Sequence, residues 1–365
     1  MSLNKMWIKS IVRFPVDIRR AQRMLRDRNP VDPSPGGRPI VLDIRTPQLQ
    51  FDCARHLVCI AKHARLIGSP VILRTSKLLM AGISRKLLGK DLLSDANVSW
   101  CQPGTELPSN ALVLTDSETA TDDSIRLMVG CDVIPGTPVM PYPLFPSMIS
   151  AASEIDRQSL RQNPRYGIFF AGRMKKAYGR VAIEQQFGVL NRLNFLETVQ
   201  TTFESQISDT LNEPSKPISL LDCTKTPIES SNWLATLSQF RFMLCPPGAS
   251  QPICHNAIEA MCVGTIPIIE YDDRFWPNLT DGVNAICFRG KAGLIDAVHR
   301  AISMTDDQAA TMRDNVLQHY QEHLRGEEFL RKLRDDQWTY DQRMISLPFH
   351  DRNFFRQPAE ANKAA

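Results

Sequence analysis

RFMLCPPGASQPICHNAIEAMCVGTIPIIEY, residues 241–271, decides how this chain is read. An apolar run, Phe242–Cys245, stops at Pro246-Pro247-Gly248. A helical pattern follows over Pro252–Val263, and a second apolar run occupies Thr265–Glu270. Strand, tight loop, helix and strand make a βαβ unit, which belongs to a parallel sheet. The polar residues collect in the loop and the first turns of the helix. Open α/β sheets present ligands there, beyond the carboxyl ends of their strands. The amino-terminal end of a helix adds free N–H groups and a positive dipole end, which suit an anion such as a phosphate.

The same alternation extends outward in both directions. Upstream, Gly167–Ala171 (GIFFA) and Ile218–Asp222 (ISLLD) read as strands, with helices over Val181–Phe203 and Ser231–Phe240. Downstream, Asn284–Phe288 reads as a strand, and 292–304 and 306–336 as charged helices. The first half repeats the rhythm with strands at Pro39–Ile44, Pro70–Leu73, Val98–Cys101, Ala111–Thr115 and Arg126–Ile134. Helices are expected over Asp52–Leu66 and up to about Leu93. Two Pro-rich stretches punctuate the chain, Asn29–Pro39 and Pro135–Pro146, and neither continues a helix or a central strand. The expected organisation is a basic segment and linker (1–38), an α/β domain (39–146), a second α/β domain (147–340) and a C-terminal tail (341–365) that is disordered from Gln357 onward. Two parallel-sheet domains in series leave a cleft between them.

A length of 365 residues suits two cores better than one. The net charge of +4 is unevenly spread. Residues 1–30 carry eight Lys/Arg against Asp17 and Asp27, so the remainder is net negative and is not a nucleic-acid binder by charge. The basic segment is interleaved with Met6, Trp7, Ile8, Ile11, Val12, Phe14 and Ile18. It reads either as a docked helix with a solvated basic face or, through residues 1–28, as a peripheral contact with an anionic membrane. No apolar run approaches the ~18–20 residues of a membrane span. Nine scattered cysteines without CxxC spacing argue against a disulfide framework and place the chain in the cytosol. No cofactor is expected and no metal pattern is signalled; Asp272-Asp273 reads as a loop with a helix cap.

Three groups of residues carry candidate chemistry. In the opening stretch, Pro252 suits the first helical position with Ser250 or Gln251 as cap. Ile253, Ala257, Ala260, Met261 and Gly264 then form one face, with His255, Asn256 and Glu259 opposite. Pro247 and Gly248 form the loop before them, Gly248 allowing positive φ or a close backbone approach. In GIFFAGRMKKAYGR, residues 167–180, a strand runs into Gly172, followed by Arg173, Lys175, Lys176 and Arg180. A glycine at a strand end with cations behind it is a candidate diphosphate clamp. Candidate bases lie in the first half: Asp43 at a strand end and His56 at the start of the next helix, with Asp52, His63, Asp116 and Glu118 as further acid/base groups. Neither a Walker A lysine motif nor a GxGxxG after a strand is present.

Residues 167–288 resemble the donor-binding domain of GT-B glycosyltransferases, specifically the exostosin-like group. GIFFAGR, RFMLCPPG and NAIEAMCVGTIPIIEYDD followed by FWPN carry the resemblance. It implies two Rossmann-like domains facing across a cleft, a nucleotide-sugar donor on the second and a glycan, lipid-linked or other saccharide acceptor on the first. It also implies Glu259 near the ribose or sugar and Arg173 and Lys175 near the diphosphate. Two positions depart from the pattern. Gln251 stands where many retaining enzymes carry a second Glu, and His255-Asn256 where exostosin-like motifs carry an Arg. The expected activity is glycosyl transfer. A non-catalytic nucleotide- or sugar-binding module and a nucleotide-sugar epimerase of the same two-domain plan are the alternatives. On this reading Glu259→Ala or Arg173→Ala removes transfer and leaves the fold intact.

Overall fold

The computed structural model describes the chain except for residues 1–2, 27–36, 51–53, 119–123, 130–131, 135, 142, 157–159, 161–164, 212, 214, 338–342 and 348–365, and the side chains of 3–11. Asp52, most of the Asn29–Pro39 linker and the Gln357 tail lie outside the described residues. The chain forms two units, each built on a six-stranded, wholly parallel sheet with surrounding helices.

The first unit holds β1 (Ile40–Ile44), β2 (Val71–Thr75), β3 (Val98–Cys101), β4 (Leu112–Thr115) and β5 (Ser124–Val129). Its sixth strand, β12 (Met344–Leu347), comes from the far end of the chain and pairs with β5. The order β3-β2-β1-β4-β5-β12 is the doubly wound, Rossmann-like one. All five residues of β1 are buried, as a central strand covered on both faces requires. The expected domain boundary therefore moves: Gly326–Asp351, placed by the sequence in the second domain and the tail, belong to the first unit. The expected helix over 306–336 is interrupted for this reason. It runs Asp306–His319, loosens into a π turn over Tyr320–Leu324, and restarts at Gly326 after the extended Arg325. The Lys/Leu-rich stretch likewise splits into two helices, Lys77–Ser84 and Leu87–Ser94, the first capped by the Ser76 hydroxyl. A Cβ at Gly89 would lie 2.1 Å from the carbonyl oxygen of Ile83, so only glycine lets these helices approach so closely.

The second unit holds β6 (Tyr166–Gly172), β7 (Ile207–Ser208), β8 (Ile218–Asp222), β9 (Phe240–Leu244), β10 (Ile266–Ile269) and β11 (Ile286–Cys287). Their order is β7-β8-β6-β9-β10-β11. The strands after β6 build out on one side through β8, and the chain then crosses to β9 on the other. The topological switch point of this sheet thus lies beyond the carboxyl ends of β6 and β9. The helix expected over Val181–Phe203 is two helices, Val181–Phe187 and Arg192–Thr202. Gly188 ends the first with φ 67°, and the Asn191 side chain caps the second by accepting from the Leu193 and Asn194 amides. Ser231–Phe240 shrinks to Trp233–Leu237, because Phe240 is the first residue of β9.

Candidate functional site

The two halves of the sequence reading meet at the switch point of the second unit. Gly172 ends β6 and is followed by the exposed cations Arg173 and Lys175; Cys245, Pro246, Pro247 and Gly248 follow β9. Tertiary pairing of β6 with β9 brings these loops, some seventy residues apart in sequence, to one end of one sheet.

The loop after β9 is longer than the sequence suggested. The helix starts at His255, not Pro252, and its cap position is Cys254, whose side chain makes no bond to the helix amides. Ser250 and Gln251 are therefore loop residues and not caps. The loop closes on itself through the Gly248 amide, which donates to the Pro252 carbonyl (3.1 Å). Gly248 is not among the glycines with positive φ. Its role is close approach, since a Cβ there would sit 2.9 Å from the Gln251 carbonyl oxygen. Ser250, His255 and Asn256 are half-buried.

Glu259 is also placed differently from the expectation. It is 1% exposed, so it does not face solvent from the polar side of an amphipathic helix. The Trp233 indole N–H donates to Oε2 (2.6 Å), and His255 Nδ1 lies 3.0 Å from Oε1. Trp233 packs over Phe169 of β6, ring centroids 6.1 Å apart, which fixes the indole beneath the helix. The carboxylate thus holds the imidazole at the helix start, and His255 is the more exposed member of the pair, its side chain 29% accessible.

Arg192 joins these loops without any signal in the sequence. This residue opens its helix, is 4% exposed, and reaches across to the loop after β9. Nε donates to the Pro247 carbonyl (3.2 Å) and Nη2 points at Cys254 Sγ (3.8 Å), while the guanidinium lies 4.0 Å above the Tyr178 ring. Among the described residues no carboxylate lies within ion-pair distance of it. The turn that carries it is nonetheless fixed by carboxylates. Glu270 accepts from the Leu190 amide (2.7 Å), and Glu184 from the Asn191 amide (3.1 Å) and side chain (2.9 Å). Burial pushes the Glu270 carboxyl above its ordinary pKa against the pull of the Gly290 and Leu190 amides it accepts from. Gln251, 5% exposed in the same loop, has a side-chain oxygen with no hydrogen-bond donor among the described residues. A buried cation without an anion and a buried acceptor without a donor are both costly unless something completes them. Nothing in the local sequence around Asn191-Arg192 signals this role, because the partners are 55 and 62 residues away.

The candidate bases of the first unit have other employment. Asp43 is buried at the end of β1, and its carboxylate takes Arg74 with both oxygens (2.9 and 3.0 Å), Arg45 at 2.7 Å and the Thr115 hydroxyl at 3.2 Å. It is a charge anchor for two arginines. Asp116 fixes the turn after β1 by accepting from the Arg45 amide (2.6 Å) and from the Thr46 amide (3.1 Å) and hydroxyl (2.6 Å). His56 is 2% exposed within the helix Arg55–Leu66. Burial, aided by the charge of Arg55, lowers its pKa to about 3, so the imidazole is neutral and poorly suited to take a proton near neutrality. His63 is tied to Glu327 (3.3 Å), and Glu118 is exposed. Asp272 pairs with Arg289 (2.6 Å) and does not cap a helix.

His56 has a consequence for stability. Its native pKa of about 3 lies below the ordinary 6.5, so between those values the unfolded chain binds a proton that the native chain refuses. The stability is present above pH 6.5 and is lost as pH falls toward 3, on the order of 1 kcal/mol per pH unit. Urea unfolding at about pH 7 and about pH 5 is expected to show this loss, with a smaller loss in His56→Leu. An equal pH dependence in the two proteins would contradict the burial of His56.

No protein-family model matches the chain, and comparison with curated proteins finds no match. Among solved structures, a glycosyltransferase from Rickettsia africae aligns with a TM-score of 0.39 at 9% identity, covering 83% of this chain and 100% of that one. CalG4, the calicheamicin glycosyltransferase, aligns at 0.38 and 10% identity, covering 83% and 98%. An α,α-trehalose-phosphate synthase (UDP-forming) from Burkholderia vietnamiensis aligns at 0.37 and 12% identity, covering 88% and 78%. With TM-scores below 0.5, the assignment of the fold rests on the strand order of the two sheets.

Proposed function

We propose that this chain is a glycosyltransferase of the GT-B type that takes a nucleotide-sugar donor at the switch point of its second unit. The observation that carries this reading is one loop, residues 247–254, that is gripped by buried Arg192 and itself holds the buried Gln251 oxygen; among the described residues the first has no carboxylate in ion-pair range and the second no hydrogen-bond donor. A ligand that brings a phosphate and a hydroxyl or N–H within one molecule completes both, and a nucleotide sugar is such a ligand. The Arg192 fork suits a phosphate, the exposed Arg173 and Lys175 add charge from the loop after Gly172, and Pro247, Gly248 and Ser250 supply backbone to the same loop. His255, held by Glu259, stands at the first turn of the helix with Asn256 beside it, facing the departing diphosphate. Charge developing on that leaving group is stabilised by cations already in place, without a metal of its own in this scheme. The acceptor is a glycan, lipid-linked or other saccharide, with acceptor-side contacts assigned to the first unit. The exostosin-like subtype, and a cytoplasmic location at a membrane surface, belong to the same reading.

One observation favours a second reading, a nucleotide-sugar-binding module without transfer: Asp43 is tied to Arg45 and Arg74, and His56 is buried with a lowered pKa, so neither is well placed to act as a base. A thermal-shift screen against nucleosides, nucleoside diphosphates and nucleotide sugars tests the binding step, and acceptor-dependent release of the diphosphate separates the two readings. Diphosphates are expected to raise the melting temperature while the corresponding nucleosides do not. No shift with any diphosphate would end both readings. Arg173→Ala, removing an exposed cation, is expected to weaken diphosphate binding only ~10-fold or less.

A further inference from the structure

The helix Leu3–Arg26 is attached to the first unit by one face. Asp17 and Ala21 are buried; the Asp17 carboxylate meets Arg20 at 3.3 Å and Arg85 at 3.1 Å, and its backbone carbonyl accepts from the Ser84 hydroxyl (3.2 Å). The other face looks outward. Val12 is 72% exposed and Val16 61%, and Arg13, Arg19, Arg23 and Arg26 are exposed with them. Positions 12, 16, 19, 23 and 26 succeed one another at helical spacing and form one stripe along the helix. Lys9 and Lys5 continue that spacing in the sequence. Asp17, the one acid between residues 3 and 26, is turned inward, so the outward stripe carries cations and valines and no carboxylate of its own. Leu87, 71% exposed, starts the helix that follows Arg85.

We propose that this stripe docks on an anionic lipid bilayer. Acidic headgroups match the arginines in charge, and the valines, which would stay in water against a nucleic acid or an acidic peptide, are covered at the headgroup level. The helix spends its apolar face on the protein, so the attachment is driven mainly by charge and is sensitive to salt. The proposal deepens the membrane placement in the reading above but is independent of the donor site: vesicle binding and sugar transfer can fail separately. No helix among the described residues is long and apolar enough to cross a membrane, so the contact is one of surface.

The test is co-sedimentation of the full chain with phosphatidylcholine vesicles, with and without about one-third phosphatidylglycerol. The chain is expected to bind the anionic vesicles at low salt, to leave them at high salt, and to ignore pure phosphatidylcholine. Each cation near such a surface strengthens binding by roughly fivefold, so Arg19→Glu/Arg23→Glu/Arg26→Glu is expected to lose at least ~100-fold of partitioning. Its thermal unfolding and its response to nucleoside diphosphates are expected to match wild type. Val12→Ser/Val16→Ser is expected to keep low-salt binding and to detach at lower salt than wild type. Wild-type partitioning by the triple variant, or no binding to anionic vesicles at low salt, would overturn the proposal. So would binding of a random-sequence oligonucleotide as tight as that of the vesicles, which would make the stripe a polyanion site.

Discussion

Arg192→Ala is expected to lower kcat/KM for sugar transfer by roughly 10³-fold and to abolish the thermal shift given by nucleoside diphosphates. The size follows from what the guanidinium does at once. It is 4% exposed, it ties the Pro247 carbonyl and Cys254 to the start of its own helix, and it stacks on Tyr178. Truncation therefore removes a deeply buried cation from the proposed site and loosens the loop that shapes it. Arg192→Lys separates these effects. It keeps the charge but loses the planar fork and the stacking, and is expected to retain measurable diphosphate binding while transfer falls ~10–100-fold. The fold is expected to survive in both variants, because Glu184 and Glu270 still hold the turn at residues 190–191. If Arg192→Ala binds diphosphates as wild type does, the donor does not use this charge and the proposed site is wrong.

Glu259→Ala is expected to destabilise the second unit by about 3–5 kcal/mol in urea unfolding. The sequence alone suggested that this substitution would remove transfer and spare the fold. The structure changes that expectation, because the carboxylate is 1% exposed and accepts from the Trp233 indole while holding His255. Removing it leaves the half-buried Trp233 indole N–H without its acceptor and opens a cavity where the buried carboxylate stood. Glu259→Gln keeps an oxygen for Trp233 and is expected to cost less, about 1–2 kcal/mol. Its main effect would be on transfer, through loss of the charge that orients His255. A wild-type unfolding midpoint for Glu259→Ala would refute the Trp233–Glu259–His255 arrangement around a buried carboxylate.

Much of the fold was legible because parallel sheets announce themselves. β1, β9 and β10 are short apolar runs bounded by turns, and burial on both faces leaves such strands no alternating pattern to confuse with a helix edge. The errors fall where a local pattern was overruled. Val181–Phe203 has helical propensity throughout, yet Gly188 and the Asn191 cap divide it. The run over 306–336 breaks because its last segment serves the other unit. β12 escaped notice, since four residues near a polar tail look like nothing until β5 offers them a partner.

The sequence by itself determined the α/β class, the two-sheet organisation and the Pro/Gly loop at Pro246–Gly248, because these depend on periodicity and on residues whose backbone preferences are local. Only the tertiary structure decided which residues the loop meets. It set Arg192 against Pro247 and Cys254, buried Glu259 under Trp233, returned Gly326–Asp351 to the first unit, and occupied Asp43 with Arg45 and Arg74. The physical reason is the same each time. A side chain's charge state and role depend on the solvent and partners that packing leaves it, and most of those partners lie tens of residues or more away along the chain.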